Sequence, residues 1–233
     1  NNIDKDEEVL FIQKPNEKTE KWYGRFLKEE DAKEISQIEN IKYNEELKNY
    51  LISTLKDKDI ENVYLDVKNW EIDEPLTQSQ KISKVLVEKY PYIKIKNINK
   101  KLENLRLIKD KKEIKATQNA VDITKEAVEN MMRKSKAGMY EYEIEANYNY
   151  ILGTKGVTTS FDTIAASGEN AVILHYISNN KKTKNDDLIL CDLGVTYKEY
   201  NSDITRTFPV NGKFTDRQKE IYKVVLDANK EVI

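Results

Sequence analysis

Residues 188–210 (LILCDLGVTYKEYNSDITRTFPV) constrain this chain more than any other stretch. An apolar run ends at Asp192, turn-forming residues follow, and a second strand-like run carries Asp203, eleven positions on. Two such runs around a polar turn read as an antiparallel hairpin. With its centre near Tyr197 and Lys198, Asp192 and Asp203 fall opposite each other, their side chains roughly 5 Å apart. A carboxylate closing a buried strand is costly unless something pairs with it. Two carboxylates that close repel unless a cation or a shared proton lies between them. A pair of divalent metal ions resolves the conflict, because hard cations bind carboxylate oxygens. The plain alternative is hairpin decoration, with Asp192 beside a turn and Asp203 a surface charge, and spacing alone does not choose between the two. Side chains alternate along a strand, so Cys191 faces away from Asp192 and belongs to the core.

His175 is the only histidine. It follows Ile173 and Leu174, at the end of an expected apolar strand over 172–176. A lone histidine beside core is commonly a satisfied structural residue, and a three-histidine zinc site is excluded within these residues. Ser167-Gly168-Glu169 lacks the G-x-S-x-G frame of a nucleophile elbow. Neither a P-loop nor G-x-G-x-x-G occurs.

Strands are expected at 8–13, 62–67 and 93–98, and helices at 29–36, 43–56 and 77–90. Their alternation predicts an α/β domain. The pattern changes near residue 100, and a boundary is placed at 100–108, giving domains 1–103 and 104–233. A long helix over 110–135 opens on Asp110 and Glu113 as a capping box. Ile114, Ala120, Val121, Ile123, Ala127, Val128 and Met131 supply its apolar face. A second helix over 140–152 is closed by Gly153. Strands then follow at 163–166, 172–176, 188–193 and 200–210. Thr215 and Gln218 cap a last helix. No repeat or low-complexity segment interrupts this order.

The 233 residues carry a formal net charge of -2 although 34% of them are charged. Acid and base nearly cancel, so nothing points to a nucleic-acid or membrane surface. No run approaches the roughly 18 apolar residues of a membrane span. One cysteine rules out an internal disulfide and fits a reducing, cytoplasmic setting. The first residues carry neither an initiator Met nor a signal-peptide core, and the last stop inside a helical pattern. Truncation at both ends is therefore expected.

The runs 163–171 (TIAASGENA), 174–176 (LHY), 191–194 (CDLG) and 202–215 (SDITRTFPVNGKFT) together resemble aminopeptidase P. That enzyme belongs to the pita-bread metallopeptidases, with prolidase, creatinase and methionine aminopeptidase. Residues 104–110 with Glu113 and Ile114 look like the entry to its catalytic domain, and 21–25 (KWYGR) like part of its amino-terminal domain. The resemblance spans nearly the whole chain. It implies a partial creatinase/prolidase-type α/β domain followed by the first half of a pita-bread catalytic domain, α/β (α+β) in class.

The same resemblance implies roles. Asp192 binds one metal of a pair, Asp203 bridges both, His175 lines the substrate pocket, and Thr205 sits near the bridging ligand. The cofactors implied are two divalent ions, Mn2+ by resemblance. The remaining ligands, a histidine and two glutamates, are expected downstream of Asp203, where this chain has 30 more residues and no histidine. The implied reaction is hydrolysis of an amino-terminal Xaa-Pro bond by a metal-activated water, with these 233 residues alone inactive. Its implied substrate is a peptide with proline second, and self-association is a further implication. Prolidase, which cleaves only dipeptides, is the enzymatic rival. A non-catalytic peptide- or protein-binding member of the fold is the rival from another class. Similar enzymes often carry glycine where Glu199 stands, so the turn is expected to differ while the metal register survives.

Overall fold

In the computed structural model, which describes residues 6–56, 60–69 and 72–232, the patterns up to residue 107 become short strands alternating with helices. In order these are β1 (Leu10–Ile12), α1 (Glu17–Tyr23), α2 (Glu29–Ser36), β2 (Ile41–Tyr43), α3 (Leu47–Leu55), β3 (Asn62–Leu65), α4 (Gln78–Lys89), β4 (Lys94–Asn97) and α5 (Asn99–Leu107). Residues 1–5 and Ile233, on which the reading of the two ends rests, lie outside the described residues. Strands β1 and β2 pair in parallel, as do β3 and β4. Parallel neighbours need a crossover, and helices supply it. Leu55, Leu86 and Ile93 are buried at the centre of this part, with Leu51, Val63, Ile82 and Ile95 packed around them. The sequence expectations missed α1, β2 and α5. Helix α1 has seven residues and no buried side chain, so periodicity had nothing to report; its start is set by Asn16, whose Oδ1 accepts from the Lys18 and Thr19 amides.

The chain divides into two compact units, Asn1–Arg106 and Leu107–Ile233. The second opens with α6 (Lys111–Lys134) and α7 (Glu141–Lys155). It continues through β5 (Thr158–Thr159), β6 (Ile164–Ser167), β7 (Leu188–Leu193), β8 (Val195–Tyr197), β9 (Tyr200–Asn201), β10 (Ile204–Pro209) and α8 (Asp216–Val232). Asp110 caps α6 through the amides of Lys112 and Glu113, while Glu113 accepts from the Asp110 amide. Thr215 and Gln218 bond reciprocally in front of α8. All the strand pairs are antiparallel, in the orders β10-β7-β6 and β5-β8-β9.

Alternation along β7 sends Ile189, Cys191 and Leu193 into the core, where Ala127, Val128 and Met131 of α6 and Ile144, Tyr148 and Leu152 of α7 meet them. Each fully buried large side chain contributes about 1.5–3 kcal/mol. Leu188, Leu190 and Asp192 take the other face.

Four expectations are corrected. Helix α7 runs through Gly153 and ends at Gly156, which adopts φ 66°. Gly153 keeps a right-handed conformation, so a residue read as a stop is only a weak link in the helix. Ile114 is largely exposed, although it lies in the first turn of α6. The run 200–210 is broken at Ser202 and Asp203 into β9 and β10. Residues 172–176 form no strand: a 3-10 turn over Gly168–Val172 leads into a bend with Val172 and Leu174 exposed. The place beside β6 that such a strand would fill is taken by side chains, as described next.

Candidate metal centre

The β7–β10 hairpin carries the acidic residues. Its register pairs Asp192 with Thr205 and Leu193 with Ile204. The same register continues in β8 and β9, where Tyr197 faces Tyr200. The turn residues are therefore Lys198 and Glu199, both left-handed at φ 48° and 66°. Positive φ at both central positions marks the tight hairpin turn whose twist matches that of the strands. The expected centre was one residue earlier, which would have set Asp192 against Asp203. Instead Asp203 lies one residue before β10, two positions from Thr205, and by alternation on the same face as Thr205 and Asp192. Diagonal neighbours of this kind are roughly 7–8 Å apart at Cα, which relieves the repulsion of direct opposition and leaves room for a cation.

Thr205 Oγ1 donates to Asp192 Oδ1 at 2.8 Å. Asp203 is exposed, and among the described residues its carboxylate has no hydrogen-bond or ion-pair partner. Among the described residues neither aspartate forms an ion pair with a lysine or arginine. The pair thus fits the oxygen donor set that hard divalent ions select. It fits only in part: among the described residues no group of three His, Cys, Asp or Glu side chains is placed to hold a metal ion.

The break before Asp203 is built by Gly194 and Ser202. Ser202 Oγ accepts from the Val195 amide at 2.8 Å and is hydrogen-bonded to Thr124 Oγ1 of α6 at 2.7 Å. The Ser202 carbonyl accepts from Ser160 Oγ. A Cβ at residue 194 would stand 2.0 Å from that carbonyl oxygen, so only glycine allows the strands this approach. These contacts fix the backbone from which Asp203 projects.

His175 lies in the exposed bend after the 3-10 turn and makes no hydrogen bond to Asp192, Asp203 or Thr205. Its segment, 168–181, is held from behind. Glu141, the first residue of α7, is completely buried. Its Oε1 accepts from the Ser167 amide at 2.7 Å, Ser167 Oγ at 2.6 Å and Asn170 Nδ2 at 3.2 Å. Its Oε2 accepts from Tyr176 Oη at 2.8 Å and the Lys181 amide at 2.9 Å. One turn further along α7, Glu145 accepts from Asn179 Nδ2, which also donates to the Thr163 carbonyl; Asn179 Oδ1 accepts from the Ala165 amide. The outer edge of β6 is therefore satisfied by side chains rather than by another strand. Burial pushes the Glu141 carboxyl up, but the donors, led by Ser167, outweigh it and hold the group below its ordinary value.

Sequence reasoning missed Glu141. A signal was present: 141, 144, 148 and 152 form one stripe of α7, and a carboxylate in line with Ile144, Tyr148 and Leu152 must be buried with them.

A model of metallopeptidase family M24 matches residues 115–233, which are 119 of the 233. The chain belongs to family M24. A second model, aminopeptidase P N-terminal domain, matches residues 1–64 of this M24 chain. Among similar curated proteins, the Xaa-Pro aminopeptidase of Escherichia coli is 34% identical over 94% of this chain and 50% of that one. The Xaa-Pro dipeptidase of Pyrococcus furiosus is 31% identical over 99% of this chain and 59% of that one. A solved chain from Bacillus anthracis is 38% identical, with a TM-score of 0.92 over 97% of this chain and 54% of that one. The M24 chain spans about half the length of the curated relatives it matches. Its mixed α/β architecture is the corresponding part of the pita-bread fold. Among the described residues, no helix is long and apolar enough to cross a membrane.

Proposed function

We propose that this M24 protein is a metal-dependent aminopeptidase that hydrolyses the bond between the first residue of a peptide and a proline in second place. One observation carries the reading: Asp192 on β7 and Asp203 just before β10 are offset by two positions, and among the described residues neither makes an ion pair with a lysine or arginine. In this proposal Asp192 and Asp203 would help hold two divalent ions, Mn2+ by family resemblance, with Asp203 serving both. Such ions supply a water activated near neutral pH and polarise the scissile carbonyl. Thr205 keeps Asp192 oriented, as partners of metal ligands do. His175 hydrogen-bonds the substrate beside the bond to be cleaved. The histidine and two glutamates that complete the ligand set lie outside this chain, and the 233 residues alone are inactive.

The test is cleavage of Xaa-Pro-Yaa by the full-length gene product, with and without Mn2+. Controls are Xaa-Ala-Yaa, an Xaa-Pro dipeptide, the D203N variant and the 233-residue chain. Metal-dependent cleavage of the proline tripeptide, lost in D203N, is expected. Cleavage of the dipeptide alone moves the assignment to a dipeptidase, a reading favoured by the likeness to the Pyrococcus protein. No cleavage by the metal-loaded full-length protein overturns the peptidase reading in favour of a binding role.

A further inference from the structure

A buried carboxylate is tolerated only when fully hydrogen-bonded, and Glu141 accepts from five donors, none of them in α7. A first-turn glutamate already gains from the helix N-terminus. The donors around Glu141 come instead from one outside segment. Ser167, the last residue of β6, directly precedes that segment, Asn170 and Tyr176 lie within it, and Lys181 is where it ends. The Glu141 amide in turn donates to the Lys181 carbonyl at 3.0 Å. Tyr176, next in sequence to His175, reaches the same carboxylate. His175 thus sits in an exposed bend whose two ends and nearest neighbour converge on one buried side chain.

We infer that Glu141 is the positioning residue for His175: its carboxylate ties both ends of the 168–181 segment, and Tyr176 within it, to the end of α7. The inference rests on the proposed role of His175 at the substrate. Two geometric points support it. The segment has no strand partner on its far side among the described residues, so its only regular ties run inward. The tie is also charge-assisted, since an ionised carboxylate accepts from main-chain amides at both ends of the segment. A glutamine would offer one acceptor oxygen, and its amide would meet donors.

The experiment compares the full-length Mn2+-loaded protein with E141Q, H175A and the double variant, on a proline tripeptide and by amide hydrogen exchange. The single E141Q change is expected to lower kcat/KM about 10–100-fold, the scale on which small misplacements act. In the H175A background the same change is expected to cost at most about 2-fold, because residues that act through one hydrogen-bond network couple and nothing remains to be positioned. Exchange over 168–181 is expected to quicken while β7 stays protected. Equal losses in both backgrounds, or unchanged exchange, overturn the inference. Where E141Q does not fold, Y176F removes one donor and keeps the carboxylate; it must show the same dependence on His175, and independence overturns the inference. Should the unaltered protein cleave nothing, the peptidase reading falls, and exchange alone then decides whether Glu141 anchors the segment.

Discussion

Thr205 directly faces Asp192 across the β7–β10 ladder, and its hydroxyl donates to Asp192 Oδ1 at 2.8 Å. The sequence reading had placed Asp203 there. What faces Asp192 is a hydrogen-bond donor, and the second carboxylate is displaced by two residues. Replacing Thr205 by valine keeps the shape and removes the donor. The T205V variant of the full-length protein should bind Mn2+ about 10–100-fold more weakly by calorimetric titration, and T205S should bind nearly normally. An unchanged affinity in T205V would mean that this contact does not orient a ligand.

Gly194 has a second constraint besides the strand break. Because a Cβ there would meet the Ser202 carbonyl at 2.0 Å and Ser160 Oγ at 2.3 Å, G194A must push β7 and β9 apart. Overpacking against backbone of this kind costs about 3 kcal/mol. Urea unfolding should show that loss, together with weaker Mn2+ binding as Asp203 moves. A variant as stable as the parent would contradict the close approach.

The depressed Glu141 carboxyl sets a pH dependence. Burial favours the protonated form, yet the hydrogen bonds from Ser167, the Lys181 amide and Tyr176 favour the ionised form and win. The folded state therefore binds the proton less readily than the unfolded chain does. The resulting stability is present above the ordinary value of 4.5 and is lost as pH falls through the lower folded value. Denaturant midpoints measured from pH 7 down to pH 3 should fall, and the slope should be shallower in E141Q. Parallel slopes would assign the acid sensitivity elsewhere.

At the hairpin tip, Glu199 adopts φ 66°, and among the described residues its side chain makes no hydrogen bond or ion pair. A left-handed residue other than glycine costs roughly 1–2 kcal/mol, partly offset by the greater freedom glycine has when unfolded. E199G should raise stability by about 0.5 kcal/mol and leave the register, and so Mn2+ affinity, unchanged. A loss of stability would indicate that the side chain holds the turn.

Local chemistry made much of this legible. The capping pairs Asp110–Glu113 and Thr215–Gln218 are short-range, three residues apart, and needed no tertiary context. Cys191 and Asp192 were sorted to opposite faces by alternation alone, and Cys191 is indeed fully buried. The resemblance in 202–215 named the family before any contact was known.

Two matters were decided only by the folded chain. Register is one. A one-residue shift of the hairpin centre, from 197–198 to 198–199, changes which residue faces Asp192, and turn sequences as polar as this one do not specify it. Ser202, Thr124 and Gly194 specify it instead, through contacts between residues far apart in sequence. The setting of His175 is the other. The apolar run before it looked like a strand, but the edge of β6 was already satisfied by Asn179 and Glu141, so Val172 and Leu174 stayed in solvent. Sequence by itself determined which carboxylates, caps and core positions the chain offers, because residue chemistry and short spacings are local. Where those residues stand relative to one another was left to tertiary structure, because buried polar groups must find partners wherever the chain brings them.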